Sequence, residues 1–269
     1  MSETANNPEP GICLLADTFY PRIGGGETHA RLLARELKSL GSPVFVLTRK
    51  HERDLKAIDS VDGVKVVRVK PSGFPRFGKY LMLPAALWAL FRLRHDYEVI
   101  YVCGLRVQGI VGMLAGRWFN KRVVLRSEAC GEWSGQFVYT VPGSASRKMN
   151  PLLRAYFGVR NGLLKRADRF LAISRVIHEE FTTGGIPEAQ IATITNGMDF
   201  TPFISVYPDK RMEWRKEFGF GDAFVFAYSG KLNRGKGLEM LLRAWKGVIA
   251  QKPNVKLALI GAGGAVPFL

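Results

Sequence analysis

The chain is poor in cysteine, histidine and acid, and no apolar run in it is long. Three cysteines in 269 residues, Cys13, Cys103 and Cys130, are odd in number and form no CxxC pair. That excludes a disulfide framework and argues against a zinc knuckle. All three fall on or beside apolar, strand-like segments, so they are expected to be buried thiols of a reducing compartment. The most apolar stretch, Leu81 to Phe91, has 11 residues and contains Pro84, whereas a membrane-spanning helix needs about 20. Residues 1–10 carry two acids and no apolar run, unlike a secretory leader, and a cytoplasmic location is expected. There is no DxD for a bridging metal, no GxSxG elbow and no HExxH, since His178-Glu179-Glu180 fails at Thr182. The four histidines read as surface or core residues rather than ligands. Repeats of 20–50 residues and low-complexity tracts are also missing.

What is present is cationic and foldable. Lys and Arg total 39 against 23 Asp and Glu, a net charge of +16, which points to anionic partners such as lipid headgroups or phosphorylated small molecules. Nucleic acid is not expected, because no DNA- or RNA-binding motif accompanies the charge. With 47% hydrophobic and 11% aromatic residues the chain can build a core, and its length suggests one domain plus a piece of another. Strand-like runs at 12–16, 44–48, 64–69, 99–103, 122–126, 169–173 and 191–195 alternate with amphipathic segments. In the first of these, Ala30, Leu33, Ala34 and Leu37 mark one helical face that Gly41 ends. This rhythm means βαβ units and a parallel sheet covered on both faces, an α/β fold. Residues 201–208, with Pro202 and Pro208, read as a linker. The expected domains are therefore 11–202 and a partial second α/β unit over 203–269, with a helix at 209–218, strands at 223–228 and 255–260, and a helix at 238–248.

Two glycine-rich strand-to-helix turns carry the chemistry. After the first strand, Gly24-Gly25-Gly26-Glu27 opens a helix, where backbone can approach a ligand and free N–H groups favour an anion; a plain flexible turn is the alternative. In the second unit, Gly230-Lys231-Leu232-Asn233-Arg234-Gly235-Lys236-Gly237 nearly matches a P-loop but places Gly237 where the magnesium-binding Ser or Thr belongs. A P-loop NTPase is thus disfavoured, while Lys231, Arg234 and Lys236 can still hold a diphosphate. The Gly261-Ala262-Gly263-Gly264 run is discounted as a nucleotide loop because Pro267 follows where a helix is required. Residues 63–95 hold seven Lys or Arg and no acid (Lys65, Arg68, Lys70, Arg76, Lys79, Arg92 and Arg94), interleaved with Phe74, Phe77, Tyr80, Trp88 and Phe91. Such a segment suits an anionic membrane interface or an ordinary packed helix with a basic outer face.

Taken in order, Pro21-x-x-Gly24-Gly25-x-Glu27, Ala172-Ile173-Ser174, Thr195-Asn196-Gly197-Met198-Asp199 and Tyr228-Ser229-Gly230-Lys231-Leu232 followed by Lys236-Gly237 resemble glycosyltransferase family 4, the retaining enzymes of GT-B fold. The resemblance covers nearly the whole chain from Gly11 to Gly263. It implies a Rossmann-like N-terminal domain on the acceptor side and a second Rossmann-like domain on the donor side, facing each other across a cleft. It also implies transfer of a sugar from a nucleotide-sugar donor to a glycan or lipid-linked acceptor, in surface polysaccharide or glycolipid assembly. Gly24, Gly25 and Glu27 would then face the phosphates or acceptor. Gly230, Lys231 and Lys236 would hold the donor diphosphate and stabilise the leaving nucleotide with no metal and no cofactor. Lys231 stands where relatives more often carry Arg, and Glu128 follows the fifth parallel strand where many relatives have His; Glu128 is the candidate to orient acceptor hydroxyls. A family Glu-x7-Glu pattern and a terminal helix are not found before Leu269, so little turnover is expected from residues 1–269 alone. A peripheral position at the inner face of a membrane is compatible with either reading; the alternative to the enzyme is a non-enzymatic phosphate- or membrane-surface-binding module, or an inactive fragment of such an enzyme.

Overall fold

A computed structural model describes residues 10–73, 77–136, 149–201 and 208–268, and the chain divides into two compact units, 1–198 and 199–269. The expected boundary at 202/203 lies outside the described residues. Unit 1 runs β1 (Ile12–Ala16), α1 (Gly25–Ser39), β2 (Val44–Arg49), β3 (Ile58–Val61), β4 (Val64–Val69), α2 (Gly78–Arg92), β5 (Val99–Cys103), α3 (Val107–Phe119), β6 (Arg122–Arg126), α4 (Pro151–Leu164), β7 (Arg169–Ala172), α5 (Arg175–Thr183) and β8 (Ile191–Thr193). The strands form one eight-stranded sheet in the order β3-β4-β2-β1-β5-β6-β7-β8. All pairs are parallel except β3–β4.

The period of two along each strand sorts the core onto the two faces of the sheet. From β1, Cys13 and Leu15 join one cluster, with Leu47 of β2, Ile100 and Val102 of β5, Met82, Ala86 and Leu90 of α2 and Val111 of α3. Leu14 and Ala16 point the other way, with Val46, Val66 and the Ala30–Ala34 stripe of α1. Continuous Val/Ile/Leu runs such as Ile12–Leu15 are what a strand buried on both faces requires. Helix starts follow local chemistry: Asn150 accepts a hydrogen bond from the Leu152 amide at 2.9 Å ahead of Pro151 at the first position of α4, and Ser174 caps α5.

Several expectations change. Cys13 and Cys103 are buried, but Cys130 is exposed, because it lies past the end of β6 in a turn and not in the sheet. The basic 63–95 stretch is not one surface. Arg68 is buried, donating to Asp59 Oδ2 at 2.7 Å and to the Tyr20 carbonyl at 2.9 Å, since β4 is covered there by the antiparallel β3 and by the loop after β1. Phe74 and Arg76 lie outside the described residues. The outer side of α2 does carry exposed Tyr80, Leu81 and Trp88.

Unit 2 contains α6 (Pro208–Glu217), β9 (Phe224–Ser229), α7 (Leu238–Gln251) and β10 (Val255–Ile260). Its sheet is the parallel pair β9–β10. Leu232, Leu238 and Ala265 form its buried cluster, and Phe224 stays 65% exposed on β9.

Candidate active site

In a doubly wound sheet, ligands bind beyond the carboxyl ends of the strands where the strand order reverses. Here that point lies between β1 and β5, and a pocket of about 180 Å³ opens there. Its walls come from four chain segments: Asp17 and Thr18 after β1, Gly26 and Glu27 in the first turn of α1, Gly104 and Arg106 after β5, and Glu128 and Glu132 after β6. Lys79 of α2 completes the rim.

Glu27 accepts a hydrogen bond from Thr18 Oγ1 at 2.7 Å, which ties the helix start to the end of β1. Glu128 keeps 37% of its side chain accessible and faces Arg126 Nη1 at 3.6 Å. Burial lifts its carboxyl above the usual range and the charge of Glu132 adds to the rise; Arg126 opposes them, Glu27 pushes upward again, and Arg106 pulls down. Glu132 is almost fully enclosed and forms an ion pair with Arg106 at 3.3 Å. The loop bearing both acids is pinned from beneath. Trp133 packs edge-on against Phe170 and Phe181, Arg160 of α4 donates to the Glu132 and Trp133 carbonyls at 2.8 and 2.9 Å, and Glu180 of α5 accepts from the Gly131 and Ser134 amides.

The ends of β5 and β6 carry a second polar set. His29 Nε2 lies 3.1 Å from Tyr101 Oη, and its pKa is drawn down to about 4 by burial and then by the Arg126 charge. Burial also raises the Tyr101 phenol. Arg126, itself buried, donates to Asn196 Oδ1 at 2.6 Å, so the Thr195–Asp199 motif reaches back to the strand that carries Glu128. Among the described residues no cluster of three or more His, Cys, Asp or Glu is placed to hold a metal ion.

Of the residues singled out in unit 1, Glu27 and Glu128 line this pocket. Gly24 instead caps α1, and Gly25 has open space where a Cβ would be. The close approach is at Gly26, whose Cβ would collide with the Glu128 carboxylate. Arg106, Lys79 and Glu132 were not singled out as site residues by sequence reasoning. Lys79 was visible only as one cation of a basic stretch, and Glu132 sits in a turn with no periodic signal.

In unit 2, Gly230, Lys231 and Lys236 are exposed on the loop between β9 and α7, and Gly230 and Gly237 have positive φ. The side chain of Arg234 lies outside the described residues. The discounted glycine run is part of this structure: the Leu232 amide donates to the Ala262 carbonyl at 2.9 Å and the Ala265 amide to the Leu232 carbonyl at 2.8 Å. Gly261 packs on the Gly230 carbonyl with no room for a Cβ. The 261–265 loop thus buttresses the basic loop without needing a helix of its own.

A switch-point pocket in a doubly wound unit, followed by a second βαβ unit with a cationic loop, defines a Rossmann-like α/β protein of the GT-B type. Crystal structures with this fold include HepE of Anabaena in complex with UDP and glucose (TM-score 0.69, 18% identity, covering 97% of this chain and 64% of that one). Another is sucrose-phosphate synthase of Thermosynechococcus elongatus (TM-score 0.70, 21% identity, covering 93% and 62%). The family model for Glycosyltransferase Family 4 matches residues 23–201, and the chain belongs to that family. Among curated relatives, a GDP-mannose-dependent alpha-(1-6)-phosphatidylinositol monomannoside mannosyltransferase of Mycolicibacterium smegmatis is 27% identical over 96% of this chain and 62% of its own length. D-inositol 3-phosphate glycosyltransferase 1 of Catenulispora acidiphila is 28% identical over 82% and 52%. The chain therefore spans between about half and under two thirds of the length of these relatives.

Proposed function

We propose that the protein is a retaining glycosyltransferase that moves a hexosyl group from a nucleotide sugar to a glycan or lipid-linked acceptor. The observation that carries this reading is the carboxylate-lined pocket at the β1/β5 switch point, most of whose lining residues fall within the span matched by the family. Unit 1 takes the acceptor there, with Glu128 and Glu27 accepting hydrogen bonds from its hydroxyls and Glu128 orienting the attacking oxygen. Unit 2 takes the donor, Lys231 and Lys236 stabilising the charge that grows on the departing nucleoside diphosphate, with no metal in the role. A relative named for phosphatidylinositol monomannoside supports a lipid-linked acceptor, and one named for D-inositol 3-phosphate supports a phosphorylated polyol in the acceptor.

A peripheral position at the cytoplasmic face of a membrane fits this acceptor. No helix among the described residues is long and apolar enough to cross a bilayer. The outer face of α2 instead presents Tyr80, Leu81 and Trp88, the last stacked on Phe91 at 5.6 Å, with Arg94 over the Phe91 ring at 4.3 Å. Aromatics flanked by cations suit headgroup depth.

The test is a thermal-shift screen of nucleotide sugars followed by product analysis with lipid and glycan acceptors. One donor raising the unfolding temperature well above all other polyanions is the expected result, and any sugar that appears on an acceptor names the acceptor class. Equal shifts from any polyanion would favour a non-enzymatic binding module.

A further inference from the structure

The Glu128 carboxylate reaches the pocket from a loop that has no secondary structure of its own beyond a turn, so something must fix its orientation. The second acid of that loop has the geometry to do so. Glu132 Oε2 accepts hydrogen bonds from three donors: the Glu128 amide at 3.1 Å, the Leu105 amide at 3.2 Å and Ser127 Oγ at 3.4 Å. Its other oxygen pairs with Arg106 Nε at 3.3 Å. Leu105 and Arg106 belong to the turn after β5; Ser127 and Glu128 belong to the turn after β6. One carboxylate, with 2% of its side chain accessible, therefore stitches together the two strand ends that make the inner wall of the pocket. A buried carboxylate is costly unless it is hydrogen-bonded and paired; here amides of both turns and the Ser127 hydroxyl meet one oxygen and the Arg106 charge faces the other.

We infer that Glu132 is a positioning residue: its charge and hydrogen bonds hold the turns after β5 and β6 in one arrangement and so fix where the Glu128 carboxylate stands. This rests on the reading of the pocket as the acceptor site. It does not depend on which sugar is transferred.

The groups that bear on the pair come from every surrounding element. Arg106 at the start of α3 and Arg126 at the end of β6 are the cations nearest the two acids; Glu27 of α1 and Asp17 after β1 are the further acids; Lys79 of α2 stands at the rim. From below, Arg160 of α4 holds the Glu132 carbonyl and Glu180 of α5 holds the neighbouring amides. Glu128 is the group whose proton affinity burial and the Glu132 charge both raise. Removing that charge while keeping the shape must lower it.

The experiment is a ¹³C NMR titration of the Glu128 side chain in the full 269-residue chain, in wild type, Glu132→Gln and Glu132→Asp. Glu132→Gln is expected to move the Glu128 midpoint to lower pH, while Glu132→Asp, which keeps the charge on a shorter arm, leaves it close to wild type. In the Asp variant the Leu105 and Glu128 amides lose protection from hydrogen exchange together, by about tenfold, as shared hydrogen bonds to one anion lengthen. A Glu128 midpoint unmoved or raised in Glu132→Gln overturns the inference. If Glu132→Gln does not fold, the Asp variant decides alone: unchanged protection, or loss at only one of the two amides, overturns it. Selective thermal stabilisation of the same wild-type sample by one nucleotide sugar over other polyanions reports separately on the transferase reading, so either can fail without the other.

Discussion

Gly26 and Glu128, from opposite walls of the pocket, are in such close contact that any side chain on Gly26 would occupy the place of the Glu128 carboxylate. Gly26 sits in the first turn of α1 with ordinary helical geometry, so alanine there suits the backbone and gains about 1 kcal/mol of helix propensity. Gly26→Ala should therefore leave the unfolding temperature within a few degrees of wild type while displacing Glu128. The ¹³C resonance of Glu128 would move, and acceptor affinity would fall by roughly tenfold as the acceptor hydroxyls lose a charged hydrogen-bond partner. An unshifted Glu128 resonance would show that the contact does not constrain the site.

His29 gives stability a pH dependence of known sign. Its pKa falls from an ordinary 6.5 to about 4 in the folded chain, so between these values the unfolded state binds the extra proton. Stability contributed by neutral His29 is complete above pH 6.5 and is lost progressively down to about pH 4. Denaturant titrations of wild type and His29→Gln across this window should diverge, wild type losing stability more steeply on acidification. Parallel curves would mean that His29 titrates alike in both states.

The α2 face makes a salt-sensitive prediction. Sedimentation with vesicles containing anionic lipid should exceed that with neutral vesicles and fall as salt screens the cations, each worth about 1 kcal/mol near the surface. Trp88→Ser with Leu81→Ser should reduce binding without lowering the unfolding temperature much, since both side chains are more than half exposed. Equal sedimentation with both vesicle types would identify α2 as an ordinary packed helix.

Among the described residues, unit 2 has few buried side chains. Leu232 packs with Leu238 and Ala265 while its backbone bonds both ways to the 261–265 loop. Leu232→Ala should cost about 2–5 kcal/mol, the usual range for a buried leucine, and should selectively speed proteolysis within 208–268. Cleavage confined to unit 1 would contradict this division of stability.

Much of the architecture was legible because continuous apolar runs mark strands buried on both faces and the Ala30–Leu37 stripe marks an amphipathic helix. The strand β3 was not. Ile58-Asp59-Ser60-Val61 is short and half polar, and the usable signal was Asp62-Gly63, both with positive φ (50° and 74°), a two-residue hairpin turn. Glu128 was legible as the acid at the end of a strand. Glu132 was not, because its partners at Leu105 and Arg106 are distant in sequence and meet it only when β5 pairs with β6. The role of the 261–265 loop was not legible for a related reason: its glycines serve a backbone contact with residues 230–232, and no local pattern encodes such a partner.

The most direct test of the account is saturation-transfer NMR of nucleotide sugars on the 269-residue chain, comparing wild type with Lys231→Ala/Lys236→Ala. Both lysines are exposed loop residues, so the double variant should fold normally, and each charged hydrogen bond to phosphate is worth about 1.5–3 kcal/mol. The account predicts saturation of nucleoside and sugar protons for a preferred donor in wild type, and affinity lowered by at least about tenfold in the double variant. It also predicts that tripolyphosphate displaces the donor only weakly. Unchanged donor affinity in the double variant, or displacement by tripolyphosphate as readily as by the nucleoside diphosphate, would contradict it.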